Sequence, residues 1–131
     1  MKAVEMIKAH PHVQGNLSED LVRAIEEFYS CAQVCISCAD ACLAEEKVAD
    51  MRECIRLDLD CADVCLATAA LATRRTGSNE KLLRQMLETC ETACRICAEE
   101  CEKHADKQEH CRICTESCRK CEEACQKARK A

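Results

Sequence analysis

The sequence predicts an all-α protein, an up-down-up-down antiparallel four-helix bundle with a short extra helix at its N-terminus. Three observations carry that expectation. Cysteines recur in steps of three and four, the spacing of one helix face, at Cys31, Cys35, Cys38 and Cys42 and again at Cys90, Cys94, Cys97 and Cys101. The chain has one Phe, one Tyr, no Trp, two Gly and one Pro in 131 residues, a composition that suits helices and gives little to strands. Finally, the cysteine stripe loses phase after Cys42 and after Cys101, which places two of the turns, and Gly77 marks the third.

Residues 2–10 form a short helix carrying Val4, Met6 and Ile7, stopped by Pro11. The first cysteine helix starts near Ser18, whose neighbours Glu19 and Asp20 suit the positive first turn. From Cys42 to Cys54 an unbroken helix would rotate the stripe by roughly 120°, so a turn near 44–48 is expected. The second helix holds Cys54, Cys61 and Cys65. It ends at "RRTGSN", where Gly77 is a C-terminal stop and Ser78 or Asn79 an N-cap. The third helix repeats the spacing of the first, as an internal repeat of a helical hairpin would. From Cys101 to Cys111 the stripe would drift by roughly 80°. A turn near 103–107 follows, with Asp106 capping a last helix that carries Cys111, Cys114, Cys118, Cys121 and Cys125. The chain reads as a single domain, 1–131, in which 1–17 is the N-terminal segment and 18–131 the cysteine-lined bundle.

The two ends of the bundle differ. Phe28, Ala24 and Leu21, with Leu87, Met86 and Leu83 and with Thr68 and Ala72, close the end holding the second long turn with hydrocarbon. At the other end thiols run to within a turn of the helix termini. There His104 extends one stripe, His110 sits beside Cys111, and Met51 precedes Cys54. His10 and His12 flank Pro11 and read as surface residues.

Net charge is −5, with both signs interspersed, which excludes the basic patch that nucleic acid requires. No stretch approaches the roughly 20 apolar residues of a membrane span. The N-terminus has no apolar h-region, twin arginine or cleavage pattern, so a cytosolic protein is expected. In that compartment thiols stay reduced, and sixteen cysteines point to metal before disulfides.

Thiolate selects Cu(I), Zn(II) or iron–sulfur clusters. Residues i and i+4 on a helix have Cβ atoms about 5–6 Å apart, close enough for two sulfurs to hold one ion. Seven such pairs occur: Cys31/Cys35, Cys38/Cys42, Cys61/Cys65, Cys90/Cys94, Cys97/Cys101, Cys114/Cys118 and Cys121/Cys125. Two-coordinate binding suits Cu(I), whereas zinc takes four ligands. Buried thiolates are costly without compensation. One Cu(I) per thiolate neutralises them, and Zn(II) at one per four leaves the core negative. Many Cu(I) ions are expected, on the order of one per cysteine. Emptied, the thiols pack as small hydrophobes.

Asp58 stands where the stripe would place a cysteine. A carboxylate there reads as a protonated core residue, a partner for a basic group, or a weak hard ligand. Core filler, disulfides and iron–sulfur clusters are weaker readings of the cysteines, and the C-x₂-C-x₂-C run of bacterial ferredoxins is absent. A zinc or general thiolate buffer is the main rival. No nucleophile–base pair or Gly-rich phosphate loop occurs, and the CxxC pairs lie mid-helix, so no enzymatic role is expected. Ile25, Ile36, Leu43, Ile55, Leu59 and Leu66 form a second apolar flank, to be covered by the N-terminal segment or by another subunit.

Residues 18–128 resemble the bacterial copper storage proteins, their cytosolic branch in particular. The likeness rests on the four cysteine-lined helices, the repeated CxxxCxxC spacing, the missing export signal and the histidines at one end. It implies a four-helix bundle storing many Cu(I) ions through inward cysteines, a short N-terminal helix and a homotetramer. Residue by residue it implies that all sixteen cysteines named above are metal ligands, with His104 and His110 at the open mouth where copper passes in. Met51 and Asp58 are accessory candidates. The expected partners are copper ions and a cytosolic copper chaperone.

Overall fold

The computed structural model describes residues 1–130. It contains five α-helices: α1 (Lys2–Lys8), α2 (Glu19–Leu43), α3 (Arg52–Thr73), α4 (Glu80–Glu102) and α5 (Glu109–Lys130), with a 3₁₀ turn at Val48–Met51. No strand occurs among the described residues. The long helices pack in a ring, α2 on α3, α3 on α4, α4 on α5 and α5 back on α2, while α1 lies against α2. Short connections between sequence neighbours produce that antiparallel order.

The helix boundaries have local causes. Ser18 caps α2, its Oγ accepting the Leu21 N–H at 3.4 Å, with Glu19 and Asp20 in the first turn. At the end of α3, Asn79 Nδ2 donates to the Leu71 carbonyl at 2.8 Å and Arg75 Nη1 to the Ala72 carbonyl at 3.3 Å. The Leu71 carbonyl also accepts the Arg74 N–H at 3.4 Å, so side chains and backbone together cap the last turn. Asn79 does occupy the N-cap position of α4, but its amide serves the preceding helix. Ser78 Oγ accepts the Glu80 N–H instead. Gly77 has φ +70°, a left-handed conformation that the reversal needs and glycine adopts without strain.

Asp106 differs from expectation. It lies in the turn before α5, two residues short of the position where a cap would sit. There Gln108 supplies its carbonyl to the Cys111 and Arg112 N–H groups.

The hydrocarbon end is as the sequence indicates. Phe28, Ala24, Thr68 and Ala72 are fully buried, with Leu83 and Leu87 beside them, while Leu21 and Met86 are half-buried. Thr68 tolerates this because its Oγ1 donates to the Val64 carbonyl at 2.7 Å. The apolar flank divides in two. Ile25 is buried in one cluster with Ile7 and Val13 of the N-terminal segment. Ile36, Leu43, Leu59 and Leu66 stay 41–60% exposed.

Candidate metal centre

All sixteen cysteines are buried and carry free thiols. Because each stripe keeps the 3.6-residue period, every sulfur falls on the inward face of its helix and the four stripes meet along the bundle axis. Three of the i,i+4 pairs bring their sulfurs to 3.9–4.0 Å: Cys31/Cys35, Cys61/Cys65 and Cys97/Cys101. The shorter approaches run between helices. Cys54 and Cys101 are 3.5 Å apart, Cys35 and Cys118 3.6 Å, and Cys65 and Cys90 3.7 Å. Sulfurs of different helices are therefore at least as well placed to share an ion as sulfurs of one helix.

The sets that can surround a single ion follow the same rule. Cys31, Cys65, Cys94 and Cys121, one from each long helix, have all their sulfurs within 4.8 Å of one another. Cys31, Cys35, Cys61 and Cys118 form a second set, Cys35, Cys97, Cys114 and Cys118 a third, and Cys38, Cys42, Cys54 and Cys111 a fourth. Residues such as Cys31, Cys35 and Cys38 belong to two sets, so neighbouring sites share sulfur. That arrangement builds bridged clusters of soft monovalent ions more readily than isolated tetrahedra.

Burial sets the protonation of the empty tube. It pushes the Cys42 thiol above its ordinary range, and the adjacent Cys54 and Cys111 sulfurs push the same way. Cys94 is pushed up by its hydrogen bonds to Cys121, Cys31, Cys61 and Cys65, with burial adding to them. Hydrogen bonds from neighbouring thiols push Cys31, Cys54, Cys61, Cys90 and Cys114 the other way, so sulfurs that keep their protons alternate in the core with sulfurs that accept from them.

Asp58 is fully buried among them. Its Oδ1 accepts thiols from Cys97, Cys114 and Cys101 at 3.1, 3.3 and 3.4 Å, and its Oδ2 is 3.9 Å from the Cys54 sulfur. Burial, then the adjacent Cys114 sulfur, raises its carboxyl to about 8. Of the roles considered for it, the protonated core residue suits these surroundings, since no basic group contacts it among the described residues. It also completes a ligand set with Cys38, Cys54 and Cys101.

The open end has the groups the sequence places there, in unequal roles. Nδ1 of His110 lies 3.4 Å from Cys38 Sγ and 3.6 Å from Cys111 Sγ, so this ring touches two thiols of the set formed with Cys42 and Cys54. Among the described residues His104 touches none; its Nε2 meets Glu100 at 3.0 Å. Met51 is buried in the 3₁₀ turn. His104, Met51, Glu45, Lys103, Lys107 and Gln108 line a cleft of about 790 Å³ between the two turns at this end. His10 lies elsewhere, its Nε2 2.9 Å from Thr76 Oγ1 in the turn between α3 and α4 and its Nδ1 accepting the His12 N–H at 3.0 Å.

Sequence reasoning missed two carboxylates here. Glu45 bonds His110 Nε2 at 3.3 Å, and Glu100 holds His104. The second was legible as an i,i+4 pair on α4. The first joins residues 65 apart through a turn and had no signal.

Comparison with known proteins gives a consistent picture. The family model described as copper storage protein matches residues 17–130. The copper storage protein of Streptomyces lividans, solved loaded with 10 copper equivalents, is 47% identical, covers 98% of each chain and superposes with a TM-score of 0.93. A structure described as copper loading to the cytosolic copper storage protein of the same organism, with five coppers, is 52% identical over 86% of this chain and 94% of that one, TM-score 0.84. A variant of that protein with one histidine replaced by alanine is 55% identical over 82% and 90%, TM-score 0.81. No curated protein sequence matches at a significant level.

Proposed function

The chain belongs to the copper storage protein family, and from that premise we propose that its inward thiols hold Cu(I) as sulfur-bridged ions, on the order of one per cysteine. The carrying observation is the approach of sulfurs from different helices to 3.5–4.0 Å along the whole tube. Each of the sixteen cysteines from Cys31 to Cys125 is assigned as a ligand. One Cu(I) per thiolate leaves the buried core neutral, which a divalent ion in a four-thiolate site does not.

Copper passes in at the cleft end. His110 hands it to Cys38 and Cys111, and His104 and Met51 are stations further out. The opposite end is sealed by Phe28 and its neighbours. We assign the protein to the cytosol, as the similar Streptomyces lividans protein is described, with a cytosolic copper chaperone as donor. The role is storage, with no catalytic activity. The exposed Ile36, Leu43, Leu59 and Leu66 form the contact surface of a homo-oligomer, a tetramer by family resemblance.

An anaerobic Cu(I) titration of the reduced protein against a Cu(I)-selective chelator tests this. Metal and free thiols are quantified on the same samples. Tight uptake of many ions with helicity retained is expected. Saturation at a few ions, or tighter retention of about four zinc ions, would sink the reading.

A further inference from the structure

Two histidines stand at the mouth, and each meets a carboxylate at Nε2, but only one presents its other nitrogen to sulfur. On His110, Nε2 lies 3.3 Å from Glu45 Oε1 while Nδ1 is directed at Cys38 and Cys111. Glu45 is itself held in place, since its N–H donates to the Cys42 carbonyl at 3.2 Å, one turn beyond Cys38 on α2. Carboxylate, imidazole and thiols thus form a continuous line inward from the cleft, with Glu45 and Cys38 borne by the end of one helix and His110 supplied by another. His104 is bonded to Glu100 within α4 and has no thiol against its Nδ1 among the described residues.

An imidazole can offer a metal only the nitrogen that lacks a proton. A carboxylate on one nitrogen keeps the proton there, and the lone pair is left on the other. We propose that Glu45 is a positioning residue for copper uptake: it holds the proton of His110 on Nε2, so that Nδ1 presents a lone pair to Cu(I) beside Cys38 and Cys111. Glu45 does not touch the ion. It orients the ring and selects the tautomer. The inference rests on the mouth assignment for His110 made above.

The test combines imidazole nitrogen NMR on the metal-free protein with stopped-flow transfer of Cu(I) from its bicinchoninate complex. Glu45→Ala is expected to give His110 a mixture of tautomers and to slow the first phase of uptake by about tenfold. Glu45→Gln retains an oxygen acceptor and should restore the Nε2–H form and most of the rate. Glu123→Ala removes the same charge from an exposed side chain further along α5, paired with Lys127, and should change neither readout. Unchanged His110 nitrogen resonances in Glu45→Ala would overturn the proposal. So would wild-type uptake by Glu45→Ala where His110→Ala is slow, and in that case the mouth assignment survives. Wild-type uptake by His110→Ala itself removes the mouth assignment, and Glu45 then has nothing to position.

Discussion

Cys97 donates its thiol to Oδ1 of Asp58 across 3.1 Å, from α4 to α3, and Cys101 and Cys114 converge on the same oxygen. A carboxyl buried this completely among thiols is stable when it carries its proton.

The pH dependence of the metal-free protein follows. The folded carboxyl titrates near 8, against an ordinary value of 3.8. Between those values the folded state keeps a proton that the unfolded chain gives up. Stability from this group is therefore full below about pH 4 and is lost as pH rises towards 8. Metal-free Asp58→Asn should show a flatter dependence of its unfolding midpoint than the wild type over that window. Thermal melts across the range, with parallel slopes for the two proteins, would contradict this.

Loading should release protons. Thiols such as Cys42 and Cys94 are pushed above the ordinary cysteine range and keep their protons without metal, and a bound thiol is deprotonated. About one proton per protonated cysteine engaged is expected near pH 7, measured by pH-stat during anaerobic Cu(I) addition. A yield far below the number of thiols lost to a thiol reagent would mean that the thiols were already ionised.

Phe28 is the largest fully buried side chain, and it sits at the sealed end. Phe28→Ala should cost about 3–5 kcal/mol of metal-free stability and leave the final copper load unchanged, because no thiol is removed. Urea unfolding and a copper titration read the two effects separately. A reduced load would mean that the plug shapes the thiol sites as well as closing them.

Leu43 and Leu59 are 60% and 46% exposed on the outer flank of α2 and α3. Exposed apolar patches of this kind mark contact surfaces. The double variant Leu43→Glu, Leu59→Glu should be monomeric by light scattering, with its helicity and copper load kept. An unchanged oligomer would move the interface elsewhere.

The thiol tube was legible in the sequence because every cysteine sits on a helix, where a period of 3.6 residues turns spacing into direction. Two of the turns were legible for the same reason, as losses of phase, and the middle one through Gly77. The partners of each sulfur were not. Whether Cys54 meets Cys101 or Cys90 depends on the vertical offset of α3 against α4, which side-chain packing sets and spacing does not record. Asp106 looked like a cap because aspartate commonly is one, yet the turn extends to Gln108 before α5 begins. Glu45 stayed hidden because its value lies in a turn conformation.

The first and last long helices of the bundle meet at Cys31 and Cys118, 87 residues apart in the chain with sulfurs 3.8 Å from each other. An ion shared by that pair closes a large covalently bounded loop, and a crosslink over such a span removes on the order of 4–5 kcal/mol of freedom from the unravelled chain in the loop-entropy picture. Several such closures at once would make a full store hard for a degradative machine to thread from either end. An empty store has no such protection. Turnover of the protein would then follow its cargo: filled molecules persist, while vacant ones are recycled first.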